Sequence, residues 1–112
     1  MRKVSEVKHF GYRIPRYTFP GKLSIEVRCA GSARTIPAKS IDISADGIAV
    51  VIGETISLGT PVLLTIPLGE SSVVSVAGRV FNQCGEVCNI TFEFPTAEQY
   101  EQILKRITEF TN

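Results

Sequence analysis

The sequence predicts a mainly β domain: six antiparallel strands in a barrel or sandwich, followed by one C-terminal helix. Three observations predict it. Apolar residues alternate with polar ones over short runs, turn-forming clusters separate those runs, and the period changes from two to 3.6 after Thr96. At 112 residues with 44% hydrophobic side chains, the chain suits one domain with its own core and is unlike a disordered segment.

Residues 1–15 show neither period, and Pro15 ends the stretch. They are expected to form a flexible basic arm leading into a strand at about Arg16, with the folded domain over 16–112. Leu23, Ile25 and Val27 then alternate with Ser24, Glu26 and Arg28, as in a strand with one buried face. Ala30-Gly31-Ser32 turns the chain into a hairpin partner over Arg34–Ile43. Gly47–Ile52 (GIAVVI) is a short apolar strand bounded by Asp46-Gly47 and Gly53-Glu54. The turn Leu58-Gly59-Thr60-Pro61 leads to Val62–Leu68, and Gly69-Glu70-Ser71-Ser72 leads to a long strand over Val73–Asn82. Gly85 closes a last hairpin onto Val87–Phe94. Short strands joined by short turns are the pattern of an antiparallel barrel or sandwich.

Thr96 can cap a helix, and Gln99 completes a capping box. Over about 96–110, Ala97, Tyr100, Ile103, Leu104, Ile107 and Phe110 fall on one helical face. That face either closes a mouth of the β-structure or docks a partner protein. The first is favoured, because large apolar stripes are seldom left exposed.

Composition excludes several function classes. The longest apolar run, Gly47–Gly53, is far too short to cross a bilayer, and no apolar segment of a secretory signal follows the basic start, so a cytoplasmic address is expected. Three cysteines, Cys29, Cys84 and Cys88, do not make a disulfide framework. Cys84 and Cys88 lack a nearby histidine to complete a zinc site, so reduced thiols on one hairpin are expected and no metal. With one histidine, His9, neither a Ser/His/Asp triad nor a His-containing metal cluster can be assembled, so no catalytic residues are assigned.

The net charge of +1 conceals a segregation. Residues 1–39 carry nine basic and two acidic side chains, whereas residues 40–112 carry three basic and nine acidic ones. Either the basic part meets an anionic ligand or the two parts neutralise each other in the fold.

Two segments carry chemistry. Tyr12-Arg13-Ile14-Pro15-Arg16 holds two guanidiniums three residues apart, in chain stiffened by proline. A guanidinium fork suits phosphate oxygens and the guanine Hoogsteen edge, and its flat face stacks on bases. Paired arginines on a surface are more often only solvated. The second segment is Asp42-Ile43-Ser44-Ala45-Asp46-Gly47, between two strands. Asp42 and Ser44 have the same strand parity; the carboxylate suits guanine N1–H and N2–H, and the hydroxyl suits a base or phosphate. Gly47 permits unusual turn angles and close approach of a ligand. The bland alternative is a turn built from the usual Asp, Ser and Gly.

Together these segments resemble the PilZ domain family, whose signature is R-x-x-x-R before the first strand and [DN]-x-S-x-x-G further along. The second motif is complete as Asp42, Ser44 and Gly47, and the last arginine of the first maps to Arg16. Ile48 and Val50 after the glycine, Gly78-Arg79-Val80, Ile90-Thr91-Phe92-Glu93-Phe94 and the terminal helix extend the likeness over about residues 10–110. The resemblance implies a six-stranded antiparallel PilZ-type barrel with a C-terminal helix. It also implies a receptor for the bacterial second messenger cyclic di-GMP that is not an enzyme and needs no cofactor. The implied ligand-binding residues are Tyr12, Arg13, Arg16, Asp42, Ser44 and Gly47, and an effector protein is the implied partner.

One position departs. Tyr12 occupies the place of the first arginine. It can stack and donate one hydrogen bond but brings no charge. Losing a charge-assisted bond of about 1.5–3 kcal/mol weakens binding roughly ten- to hundred-fold. Arg13, Lys8, Arg2 and Lys3 are nearby cations that can compensate. The alternative is a degenerate adaptor that binds proteins alone. A single-strand nucleic-acid binder is disfavoured, since such proteins display several aromatics on a basic groove, whereas this chain has no tryptophan and Phe92 and Phe94 share a core-type parity.

Overall fold

The computed structural model describes the backbone of residues 2–9 and 12–18, together with residues 23–44, 46–67, 73–93, 97, 98, 101 and 105. Eight strands are present: β1 (Arg2–His9), β2 (Tyr12–Thr18), β3 (Ser24–Cys29), β4 (Ile36–Ile43), β5 (Gly47–Ile52), β6 (Pro61–Pro67), β7 (Val73–Cys84) and β8 (Val87–Glu93). The last six start and end within about two residues of the runs read from the pattern, because burial of alternate side chains fixes both face and register.

Those six form a closed antiparallel barrel in the order β4-β3-β6-β7-β8-β5, with β5 returning to β4. Closure removes the unpaired edges that an open sheet would expose. The interior is filled from every strand: Ile25 and Val27, Ile36 and Ile43, Ile48 and Ile52, Leu64 and Ile66, Val76 and Val80, and Cys88 and Ile90 are all buried. Burying each large aliphatic side chain contributes about 1.5–3 kcal/mol, so this ring of residues is the main source of stability. Ile56, from the β5–β6 loop, is buried with this core, and its N–H donates to the Gln83 side-chain carbonyl at 2.9 Å.

Residues 1–15 depart from expectation. They contribute β1 and the start of β2, which pair as an antiparallel hairpin from Arg2↔Thr18 to His9↔Tyr12. A two-stranded edge ribbon need not bury one face along its whole length, so its sequence carries no clean period of two. Pro15, read as a stop, lies within β2 opposite Glu6 of the outermost strand. Proline is tolerated near sheet edges, where fewer ladder hydrogen bonds are required of it.

The hairpin joins the barrel through β4. β3 pairs with β4 from Ile36 to Lys39, and Ser40 holds the departing chain by donating its N–H to Leu23 O at 2.9 Å. The Ser40 hydroxyl in turn accepts from Leu23 N–H at 2.8 Å. Beyond that point β2 pairs with β4 at Tyr17↔Ile43 and Thr18↔Asp42. Ala97, Glu98, Glu101 and Lys105 have helical backbone; the remainder of the expected helix and its apolar face lie outside the described residues. Among the described residues, no helix is long and apolar enough to cross a membrane.

Candidate functional site

The Asp42–Gly47 segment is shaped by a bulge. Along β4, Ile36, Ala38 and Ser40 are buried at even positions, and continued alternation would turn Asp42 into the barrel. Instead the β4–β5 register slips between Ser40 and Asp42, so Ile43 becomes the buried residue and Asp42 is half-exposed. One inserted residue, Ile41, inverts the facing of everything after it. The bulge therefore keeps a carboxylate out of an apolar interior, where burying it would cost several kcal/mol. Asp42 is also the residue opposite Thr18 of β2 and Ala49 of β5.

Ser44 and Gly47 each have a structural role in the turn. Ser44 is fully buried at 0% exposure. Its hydroxyl accepts from the N–H of Asp46 at 3.1 Å and of Gly47 at 3.3 Å, while its own N–H donates to Gly47 O at 2.9 Å. A serine that bonds backbone N–H groups two and three residues on stabilises a turn locally. The Asp46 carbonyl accepts from Phe92 N–H at 2.8 Å, which ties the turn to β8. The reason for Gly47 also differs from the turn-angle expectation. The glycines with positive φ are Gly31, Gly59 and Gly85, whereas Gly47 sits against β8, where an added Cβ would fall on the Ile90 carbonyl oxygen. The glycine permits close approach of a neighbouring strand.

The first motif lies in β2. Arg16 immediately precedes Tyr17, and Ser44 immediately follows Ile43, so the two motifs adjoin where the β2–β4 ladder ends. Residues two apart on a strand share a face. Tyr12 and Arg16 therefore fall on the face of the ladder that carries Thr18 and its partner Asp42. Arg13 has the other parity, and its register partner is Lys8. The register thus sets Tyr12, Arg16 and Asp42 on one face and Arg13 on the other, with Arg16 two residues and Tyr12 six residues along β2 from the partner of Asp42.

The opposite end of the barrel carries a feature that no motif announces. A shallow cleft of about 440 Å³ is lined by Arg28, Cys29, Gly31, Ser32, Pro61 and Leu63. Beside it Arg34 makes a two-pronged ion pair with Glu54, at 2.6 and 2.8 Å. The hydrogen bond and charge of Glu54 raise the Arg34 pKa, and the bond from Arg34 lowers that of Glu54. This pair joins a cation of the basic part to an acid of the acidic part, so some of the charge segregation is resolved inside the fold.

The cysteines divide by facing. Cys88 points into the core, Cys84 is exposed at the hairpin end, and Cys29 is half-buried, all as free thiols. Burial, then the nearby Cys29, raises the Cys88 pKa. The C-x-x-x-C spacing thus puts one sulfur inside the sheet and one outside, and among the described residues no metal-ligand cluster exists.

Comparison with known proteins gives the context. The chain resembles the solved PilZ domain of CeSA from a cellulose-synthesizing bacterium, at 17% identity and a TM-score of 0.72, covering 87% of this chain and 98% of that one. It resembles the PilZ domain with c-di-GMP of YcgR from Escherichia coli at 15% identity and a TM-score of 0.70, over 86% and 87% of the two chains. The Bacillus subtilis inhibitor of motility MotI/DgrA aligns at 20% identity and a TM-score of 0.64, over 89% of this chain and 53% of that one. No curated protein matches the sequence. The family model for the PilZ domain matches residues 12–110, beginning at the first motif, and the chain belongs to the PilZ domain family.

Proposed function

We propose that this domain is a cytoplasmic receptor for cyclic di-GMP, and that it relays the ligand to an effector protein without chemistry of its own. The observation that carries this reading is the β2–β4 register, in which Thr18 pairs with Asp42 and the two halves of the family signature adjoin. Arg16 binds phosphate or the guanine Hoogsteen edge, Asp42 accepts from guanine N–H groups, and Tyr12 stacks on a base. Ser44 and Gly47 act by fixing the turn that presents Asp42. Support also comes from the solved YcgR domain, a structural neighbour whose structure contains c-di-GMP.

The relay runs through the hairpin. Among the described residues, β2 joins the barrel ladder at two register pairs, Tyr17↔Ile43 and Thr18↔Asp42. A ligand held between Arg16 and Asp42 fixes the β1–β2 hairpin against the barrel, and the hairpin surface so held is what a partner recognises. Holding the hairpin in one position costs conformational entropy, which phosphate contacts offset.

A second reading, a protein-binding adaptor that has lost the nucleotide, is favoured by two observations. Tyr12 stands where the family has arginine, and Ser44 and Gly47 are held in place by the fold, so an intact second motif does not require a ligand. Calorimetric titration with cyclic di-GMP separates the two. The receptor reading predicts saturable binding by the native chain, its loss in Arg16→Ala and tightening in Tyr12→Arg. Silence in the native chain with binding gained in Tyr12→Arg would establish the adaptor.

A further inference from the structure

Three large apolar side chains stand exposed among the described residues, and all of them lie along one ribbon. Leu58 and Phe81 are each 69% exposed, and Val73 is 63% exposed. β6 and β7 pair from Pro61↔Arg79 to Pro67↔Val73, and alternation turns Leu63 of β6 outward with Val73, Ala77 and Phe81 of β7. Leu58 precedes Gly59, whose N–H donates to Val80 O at 2.8 Å, so Leu58 and Phe81 share one end of the ribbon and Val73 holds the other. Single exposed apolar residues are ordinary, but several on one face mark a contact surface.

Charges flank this face in a fixed order. Arg28 of β3 is in register with Leu63, Leu63 with Ala77, and Ala77 with Glu93 of β8, so one row crosses the face from a cation to an anion. Arg34 is matched by Glu54 and Arg79 by Glu93, whereas among the described residues Arg28 has no carboxylate partner. Arg79 Nε reaches Glu93 at Oε2, 3.1 Å away.

We infer that this face is a self-association surface, on which two copies of the chain pack face to face about a two-fold axis running along the seam between β6 and β7. Such an axis exchanges β6 with β7, so each outward residue of one strand lies over its own register partner in the second copy. Leu63 then covers the partner's Ala77, a large side chain over a small one, and Leu58 covers the partner's Phe81. One strand further out, β3 and β8 exchange, and Arg28 meets the partner's Glu93 once on each side of the axis. The cleft lined by Arg28, Pro61, Leu63 and Ala77 hollows the convex barrel wall where the two faces meet. The barrel is closed, so its six strands offer a partner a face and not an unpaired edge.

The contact is small. The seven residues of β6 make a face about 23 Å long, and β3 to β8 spans about 14 Å. That footprint falls short of the roughly 800 Å² per partner of a standard interface, so the dimer is weak and reversible. It is independent of the nucleotide reading, because the β2–β4 junction lies outside it.

Sedimentation velocity of the whole chain from about 10 µM to about 1 mM tests the inference. The native chain is expected to pass from monomer towards dimer over that range and to go no further, since a two-fold contact closes on itself. Phe81→Glu and Arg28→Glu should each weaken association about tenfold or more, with melting temperatures at low concentration unchanged. Added salt should weaken the native dimer and relieve the like-charge contact of Arg28→Glu. A native chain that stays monomeric at about 1 mM overturns the inference, even if another protein covers the face. Association that keeps its native strength in Phe81→Glu, or that proceeds to larger assemblies, overturns it as well.

Discussion

Ser44 shows how one hydroxyl can decide the shape of a turn. It is buried and accepts from two backbone N–H groups. Ser44→Ala should cost about 1–3 kcal/mol by leaving those donors without their acceptor, read as a lowered urea midpoint. Gly47→Ala should cost a similar amount or more, because its Cβ meets the backbone of β8, which cannot move aside as a side-chain tip would. Both changes should lower stability and, through the displaced turn, weaken ligand binding together, whereas Arg16→Ala should abolish binding with the melting temperature nearly unchanged. Urea titrations and calorimetry on the same samples distinguish these behaviours. The identities of all the motif residues were legible in the sequence. The roles of Ser44 and Gly47 were not, because a hydroxyl bonded to its own turn and a glycine pressed against a distant strand carry no local signal.

At the scale of elements, the bulge at Ile41 aims Asp42 away from the barrel interior. Deleting Ile41 removes the extra residue, so a regular ladder then keeps Asp42 outward and Ile43 inward after the buried Ser40. The expected result is a cooperative thermal transition that is retained without the bulge. A deletion variant that loses that transition would contradict the bulge's assigned role. The six barrel strands were legible because each has one buried face, whose alternation survives in the sequence. The bulge was not, since Ser-Ile-Asp-Ile still alternates polar with apolar. The β1–β2 hairpin was missed for a related reason: an edge ribbon rich in Arg and Lys shows no two-residue period, and its charges read as a solvated arm.

For the molecule as a whole, the closed barrel makes stability depend on an apolar interior that holds one thiol. Cys88 is fully buried, and burial raises its pKa above the ordinary value. In the unfolded chain the thiol ionises near pH 8.5. Between that value and its raised folded value the unfolded state binds fewer protons, so stability falls as pH rises. Stability from this source is complete below about pH 8 and declines in alkali. Urea midpoints measured upward from neutral pH should fall for the native chain and fall less steeply for Cys88→Val, which keeps the core filled but cannot ionise. The charge segregation so evident in sequence has a mixed meaning at this scale. Arg34 and Glu54 neutralise one another across it, while the cations of β1 and β2 belong to the hairpin that joins β4 at Thr18 and Asp42.

The central claim is that ligand engages the junction of β2 with β4, and amide chemical-shift mapping by NMR tests it most directly. On titration with cyclic di-GMP, the account predicts the largest shifts at residues 12–18 and 42–49, with the cleft around Arg28–Ser32 at the far end of β3 unmoved. Saturating ligand that leaves the amides of Arg16, Tyr17 and Asp42 where they were, or moves the far cleft instead, would contradict it.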